Sequence, residues 1–229
     1  MTPYKHIVIT GTSSGIGFEM AKQLAQAGHK VLAVSRNIEP LTNFNHKNIT
    51  VLSVDITEKP QLKKIKNFVK QHWDKVDILI NNAGYLVNKP FFKLDTQDFI
   101  DVYKVNVFGM AQLIQLLMPY FKKGSHVVNI SSMGGLRGSL KFPGLAAYSS
   151  SKGAVNTLTE LLAEEYKDTQ ISFNALALGA VQTEMLNKAF PDYKAQTSAK
   201  DMAAYIVNFA LTGQKYFNGK IIEVSTTTP

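Results

Sequence analysis

Apolar positions in this chain follow two alternating rhythms. Short apolar runs bounded by turn residues read as buried strands, and segments with apolar residues three and four apart read as helices. The runs Ile7-Val8-Ile9, Lys30 to Ser35, Ile49 to Val54, Val76 to Ile80, Ser125 to Ile130, Ile171 to Ala177 and Lys220 to Val224 predict seven strands. Helical patterns separate most of them: Phe18 to Leu24, stopping at Gly28, then residues 58–72, 97–121, Leu145 to Tyr166, and 198–211. Alternation from end to end predicts an α/β fold. No linker, repeat or low-complexity tract interrupts it, so residues 1–229 read as a single domain. The pattern over 97–121 carries apolar groups on nearly every side, among them Phe99, Ile100, Val107, Phe108, Leu113 and Leu117. A helix of that kind is buried in a core or against another subunit.

The joins between these elements hold the polar residues of interest. After the first strand comes Thr10-Gly-Thr-Ser-Ser-Gly-Ile-Gly17, and a helix follows at once. Glycines let the backbone turn tightly and approach a ligand, while the free N–H groups of a new helix attract a phosphate. An ordinary tight strand-to-helix connection is the competing reading. Phe18 stands where a P-loop needs Lys-Ser/Thr, which argues against an ATPase.

The second strand runs out into Ser35-Arg36-Asn37. A protein selecting NAD places an acid there, about 20 residues beyond the glycines, to bind the ribose 2′-hydroxyl. Arg36 suits a 2′-phosphate instead, or is simply an exposed arginine at a strand end; Glu39 is the nearest acid. Asp55-Ile56 ends the third strand, where Asp55 either bonds an adenine amino group or serves the turn. The fourth strand runs into Asn81-Asn82-Ala83-Gly84, and Asn106 interrupts the apolar surface of the long helix, where a buried amide satisfied within the core is the simplest reading.

Tyr148 and Lys152 stand four apart on a predicted helix and so share a face. A neighbouring ammonium stabilises a phenolate, which acid–base work at neutral pH requires. The pair by itself also fits surface decoration. Residues 184–197 read as a short flap, in which Met185, Leu186, Phe190 and Tyr193 give an apolar lining and Lys188 and Lys194 alternate with them. That lining suits a small to medium, partly apolar substrate.

Composition narrows the classes. There is no cysteine, which excludes disulfides and thiol nucleophiles, and the five histidines are scattered, so no metal site is expected. The absence of cysteine fits a reducing cytoplasm, and the first residues show no signal-peptide pattern. No apolar run approaches the roughly 18 residues that span a bilayer, so no membrane partner is expected. The net charge of +8 comes from dispersed lysines and reads as a solvated face rather than a nucleic-acid site.

With the glycine turn, Asn81-Asn82-Ala83-Gly84, Asn106, Ser132, Tyr148 and Lys152 in one order, nearly the whole chain resembles the short-chain dehydrogenase/reductase (SDR) family. The resemblance implies a Rossmann-like, doubly wound parallel sheet of seven strands in order 3-2-1-4-5-6-7, with helices on both faces. It implies an oxidoreductase that moves a hydride between a nicotinamide cofactor and a carbonyl or secondary alcohol, and Arg36 with the missing acid points to NADP(H) in preference to NAD(H). Tyr148 would be the general acid and Ser132 would polarise the carbonyl. Lys152 would lower the tyrosine pKa and hold the nicotinamide ribose, and Asn106 would anchor a relaying water. The family pattern puts the catalytic serine three residues before a glycine; Gly135 meets this for Ser132 and Gly134 for the alternative, Ser131. Around the cofactor the resemblance sets Gly11, Ser13, Ser14, Gly15, Ile16, Gly17, Arg36, Asp55, Ile56, Asn82, Ala83, Gly84, Tyr148 and Lys152, with Val181 and Thr183 at the carboxamide.

It further implies a homodimer or homotetramer. Three departures stand out: a longer loop from Leu136 to Leu145, Leu178-Gly179 where the family has Pro-Gly, and a C-terminal segment without the usual glycine pair. An NADP-sensing regulator that kept the fold and lost catalysis is the competing function, against which the intact Ser132, Tyr148 and Lys152 argue.

Overall fold

A computed structural model describes residues 4–226. Its strands are β1 (His6–Thr10), β2 (Lys30–Ser35), β3 (Ile49–Ser53), β4 (Val76–Asn81), β5 (Phe121–Ser132), β6 (Ser172–Leu178), β7 (Val181–Gln182), β8 (Thr197–Ser198) and β9 (Ile221–Val224). Seven of these form one sheet in the order β3-β2-β1-β4-β5-β6-β9, every neighbouring pair parallel. The α-helices are α1 (Gly15–Gln26), α2 (Glu39–Phe44), α3 (Lys59–His72), α4 (Thr96–Tyr103), α5 (Met110–Leu117), α6 (Ala146–Glu165), α7 (Glu184–Ala189) and α8 (Ala199–Thr212).

Side chains alternate across a strand, so each inner strand feeds two cores. Ile7 and Ile9 join Met20 and Leu24 of α1 and Ile206 and Phe209 of α8 on one face. Val8, between them, points the other way, into Leu62 and Ile65 of α3, Leu113 of α5 and Val155 of α6. Both faces are therefore covered, which is why these strands read as continuous apolar runs rather than alternating ones. Among the described residues no helix is long and apolar enough to cross a membrane.

The expected strands are observed, with ends displaced by a few residues. β5 is the largest correction, since Phe121 already pairs with Val76 and the register shifts before Ile78 meets His126. The pattern also missed α2, whose six residues are too few for a helical period to show. The predicted helix over 97–121 is broken: α4 and α5 flank a π-helical segment, Lys104–Gly109, and a 3-10 turn, Met118–Tyr120, carries Pro119. A wider π turn rotates the buried face between α4 and α5. Apolar residues then fall on nearly every side of one continuous helical period. The end of the π segment lies close to β3's exit, for a Cβ on Gly109 would sit 2.7 Å from the Ile56 carbonyl oxygen. Residues 227–229 of the C-terminal segment that lacks the usual glycine pair lie outside the described residues.

Candidate active site

The chain winds one way from β1 to β3 and the other way from β4 onward, so β1 and β4 are neighbours whose connections diverge. A crevice opens at the carboxyl ends of such a pair. A cavity of about 620 Å³ lies there, lined by the glycine turn, Arg36, Asp55, Asn82, Ser132, Tyr148, Lys152 and Thr183.

At the glycine turn the backbone itself requires the residue type. Gly11 has φ 74°, and a Cβ on Gly17 would lie 2.1 Å from the Gly11 oxygen. The turn is pinned from β4: Asn82 Nδ2 donates to the Thr10 and Gly11 oxygens at 3.1 and 3.0 Å. Thr10 Oγ1 in return accepts from the Asn82 and Ala83 N–H groups, both at 3.1 Å. The supporting role of Thr10 was not expected from the sequence; a polar residue ending a buried strand is the only signal it left. Ser13, Ser14, Gly15 and Ile16 complete this end of the cavity, and the Ser14 side chain makes no cap bond to α1. Uncapped N–H groups at a helix start facing a cavity, with no Cβ to fill it, fit a pyrophosphate.

Further along, Arg36 lies exposed at the cavity edge, and it makes no ion pair among the described residues. Glu39 begins α2 and does not line the cavity. Asp55 serves the turn, where Oδ1 accepts from the Thr57 N–H at 2.9 Å and hydroxyl at 2.8 Å, and the residue lines the cavity beside Ile56. Ala83 and Gly84 form the floor toward the far end.

There β5 delivers two serines, and the structure separates them. Ser131 is buried and its hydroxyl donates to the Lys152 carbonyl at 3.3 Å. Ser132 lines the cavity with Tyr148, whose phenol pKa it lowers, and it accepts from the Gly134 N–H at 3.2 Å. The turn after β5 packs so closely on α6 that a Cβ on Gly135 would lie 2.6 Å from the Lys152 carbonyl carbon. Lys152 Nζ donates to the Ile130 oxygen at 2.8 Å and stands 5.6 Å over the Tyr148 ring.

Burial governs the electrostatics of this pair. Burial pushes the Tyr148 phenol up to about 12, opposed only by the Ser132 hydrogen bond. Burial also brings Lys152 down to about 8. The net tyrosine pKa lies above the free value because desolvation of the phenolate is the largest effect on it. The phenol is thus protonated at neutral pH, the form a proton donor needs.

Asn106 alone among the expected site residues does not line the cavity. It is buried in the π segment, where Oδ1 accepts from the Tyr85 N–H at 2.8 Å while Nδ2 donates to the Tyr85 carbonyl at 3.0 Å and to Ser151 Oγ at 2.9 Å. Its amide is fully satisfied within the protein, and it holds the β4 exit against α6.

A family profile described as short chain dehydrogenase matches residues 5–194. The chain belongs to the short-chain dehydrogenase family. Among curated relatives, Oxidoreductase BOA17 of Botryotinia fuckeliana is 30% identical over 182 residues, spanning 77% of this chain and 65% of that protein. Among solved structures, a 3-ketoacyl-(acyl-carrier-protein) reductase from Brucella melitensis complexed with NADH is 27% identical with a TM-score of 0.85, covering 96% of each chain. ElxO with NADP bound is 26% identical with a TM-score of 0.84 and covers 97% of each. The two hold different nucleotides, so likeness to them selects neither.

This short-chain dehydrogenase departs from the common pattern where the sequence indicates. Leu178 is the last, buried residue of β6, paired in register with Val224. The chain is thus held in the sheet up to the turn without proline. Val181 then pairs with Thr197 in a small second sheet, and Thr183 Oγ1 caps α7 by accepting from the Leu186 N–H at 3.2 Å. The flap is therefore partly helical. The long loop contributes Leu140, Phe142 and Leu145 to the cavity. Ser139 ties it down by donating to the Met133 and Leu136 carbonyls at 2.5 and 3.1 Å.

Proposed function

We propose that this protein is an NADP(H)-dependent oxidoreductase interconverting a carbonyl and a secondary alcohol on a small to medium, partly apolar substrate. The observation that carries the reading is one continuous cavity with the glycine turn and Arg36 at one end and Ser132, Tyr148 and Lys152 at the other. A bound nicotinamide would supply or accept the hydride. The residues supply the rest. Ser132 orients the carbonyl oxygen, Tyr148 donates its proton as negative charge develops there, and the Lys152 ammonium adds positive potential in a site of low dielectric. Gly11 to Gly17 would seat the pyrophosphate and Asp55 with Ile56 the adenine, while Val181 and Thr183 would border the carboxamide.

Arg36 supports the 2′-phosphate, since no acid follows β2 in the cavity wall. Exposed Ile100, Phe108 and Leu161 support a homodimer or homotetramer built on α4, the π segment and α6. The test is nucleotide oxidation with a panel of neutral ketones and aldehydes. NADPH is expected to be consumed at least about 10-fold more efficiently than NADH, in line with one charge-assisted bond. Tight NADPH binding without turnover of any member would favour the regulator reading instead.

A further inference from the structure

Three separate segments wall the substrate end of the cavity. The stretch after β4 contributes Leu86, the long loop contributes Phe142 and Leu145, and the flap contributes Leu186 and Phe190. Asn88, just outside this lining, touches the other two. Its Nδ2 donates to the Ala189 carbonyl at 2.7 Å, and Ala189 is the last residue of α7, where helix carbonyls lose their internal partners. Its Oδ1 fills the space beside Gly144, for a Cβ built there would lie 2.0 Å away, and Gly144 has φ 89°. We propose that Asn88 is the clasp that holds the flap down over the substrate end, and that it thereby limits the length of substrate the pocket retains.

The two sides of the clasp are anchored unequally. On the Asn88 side, the Lys89 N–H donates to the Gly144 carbonyl at 3.0 Å, and Lys89 Nζ pairs with Asp98, in the first turn of α4, at 2.7 Å. Asp98 is itself held in a capping box with Asp95. On the flap side, the other hydrogen bonds of residues 184–196 stay within residues 182–196, so among the described residues Asn88 makes the one that crosses from the flap to the opposite wall. Asn88 therefore stays while the flap moves. The bond is exposed, so its loss shifts the balance rather than abolishing closure. An ordinary hydrogen bond corresponds to about 2- to 10-fold in the closed-to-open ratio.

The chamber under the clasp sets what is selected. Leu86, Met133, Leu140, Phe142, Leu145 and the flap's Met185 make this wall largely apolar, and Glu184 is the charge the flap brings to the cavity. With the clasp closed, an alkyl chain that outgrows the chamber must displace α7; with it released, the chain passes between α7 and Asn88. Short neutral carbonyls lose retention when the clasp opens, whereas longer ones gain access.

The experiment compares wild type with Asn88→Asp, Asn88→Ala and Gly144→Ala. Asn88→Asp keeps the shape but replaces the donor with a second oxygen facing Ala189; Gly144→Ala leaves residue 88 an asparagine but pushes its side chain out of position. Hydrogen exchange with NADPH present should be faster by about 2- to 10-fold over residues 184–197 in all three, with β1, β4 and β5 unchanged. Across straight-chain methyl ketones, KM for the shortest should rise by a similar factor with kcat little altered, and relative kcat/KM should move toward longer members. Flap exchange equal to wild type in both Asn88 variants, or an unchanged length profile, would overturn the proposal. The length profile rests on the carbonyl-reductase reading, but the exchange measurement does not. If no ketone is turned over, that reading fails and flap exchange alone decides the clasp.

Discussion

Tyr148 and Lys152 share one face of α6, with the ammonium 5.6 Å over the phenol ring and anchored to the Ile130 carbonyl at 2.8 Å. The phenol, pushed up to about 12 by burial, remains a proton donor across the working range. Tyr148→Phe keeps the ring but removes that donor and the Ser132 partner. Turnover of an accepted carbonyl should fall by at least about 10²-fold, while the NADPH Kd stays within about twofold. Retention of more than about a tenth of the rate would displace Tyr148 from this role.

Lys152 loses its charge at a lower pH than a surface lysine. Its pKa is brought down to about 8 by burial, so the ammonium is present below that pH and is lost as pH rises through it. Reductase activity should therefore decline through pH 8. Lys152→Ala should abolish that limb and weaken NADPH binding, as read by fluorescence titration. An unchanged alkaline limb would assign it to another group.

The proposed NADP(H) preference rests on Arg36 at the cavity edge. Arg36→Asp removes the phosphate partner and introduces an acid suited to a ribose hydroxyl, so the NADPH-to-NADH ratio of kcat/KM should invert. A charge-assisted bond contributes about 1.5 to 3 kcal/mol, or roughly 10- to 150-fold. If wild type uses both nucleotides equally, the assignment is wrong.

His126 makes the fold acid-sensitive. Its ring is fully buried, with Nδ1 3.0 Å from the Ala210 carbonyl and Nε2 3.0 Å from Asn174 Nδ2. Asn174 cannot turn over without cost, because Nδ2 also donates to the Phe217 carbonyl and Oδ1 accepts from the Lys220 N–H. Nε2 must therefore accept, and the neutral ring is the one that fits. Burial holds the pKa at about 4 against 6.5 in a free histidine. The unfolded chain takes up the proton first, so stability is full above pH 6.5 and falls as pH drops toward 4. The loss is on the order of 3 kcal/mol. Urea midpoints measured at pH 7 and 4.5 should show it, and His126→Phe should flatten the slope whatever it does to the stability at pH 7. His6 and His29, also lowered by burial, add smaller contributions of the same sign.

Phe108 is half exposed on the π segment, beside Tyr103 with ring centroids 6.3 Å apart. Light scattering at micromolar concentration should give a dimer or tetramer, and Phe108→Glu should shift it toward the monomer. A monomeric wild type would refute the homo-oligomer.

Much of this molecule is written locally. Seven parallel strands, the glycine turn and the order of Asn82, Ser132, Tyr148 and Lys152 are legible because apolar runs, turn chemistry and an i, i+4 spacing each depend on residues a few positions apart. Packing decided what those patterns left open. Spacing to a glycine favours Ser132 and leaves Ser131 as the alternative; in the folded sheet, alternation along β5 turns the Ser131 hydroxyl to the Lys152 carbonyl and Ser132 toward Tyr148. The helix over 97–121 breaks at a π turn where Asn106 meets Tyr85 and Ser151 from distant segments. A pKa set by desolvation likewise has no local signature: the spacing of Tyr148 and Lys152 suggests a lowered phenol, and the surrounding fold, by excluding water from both, raises it.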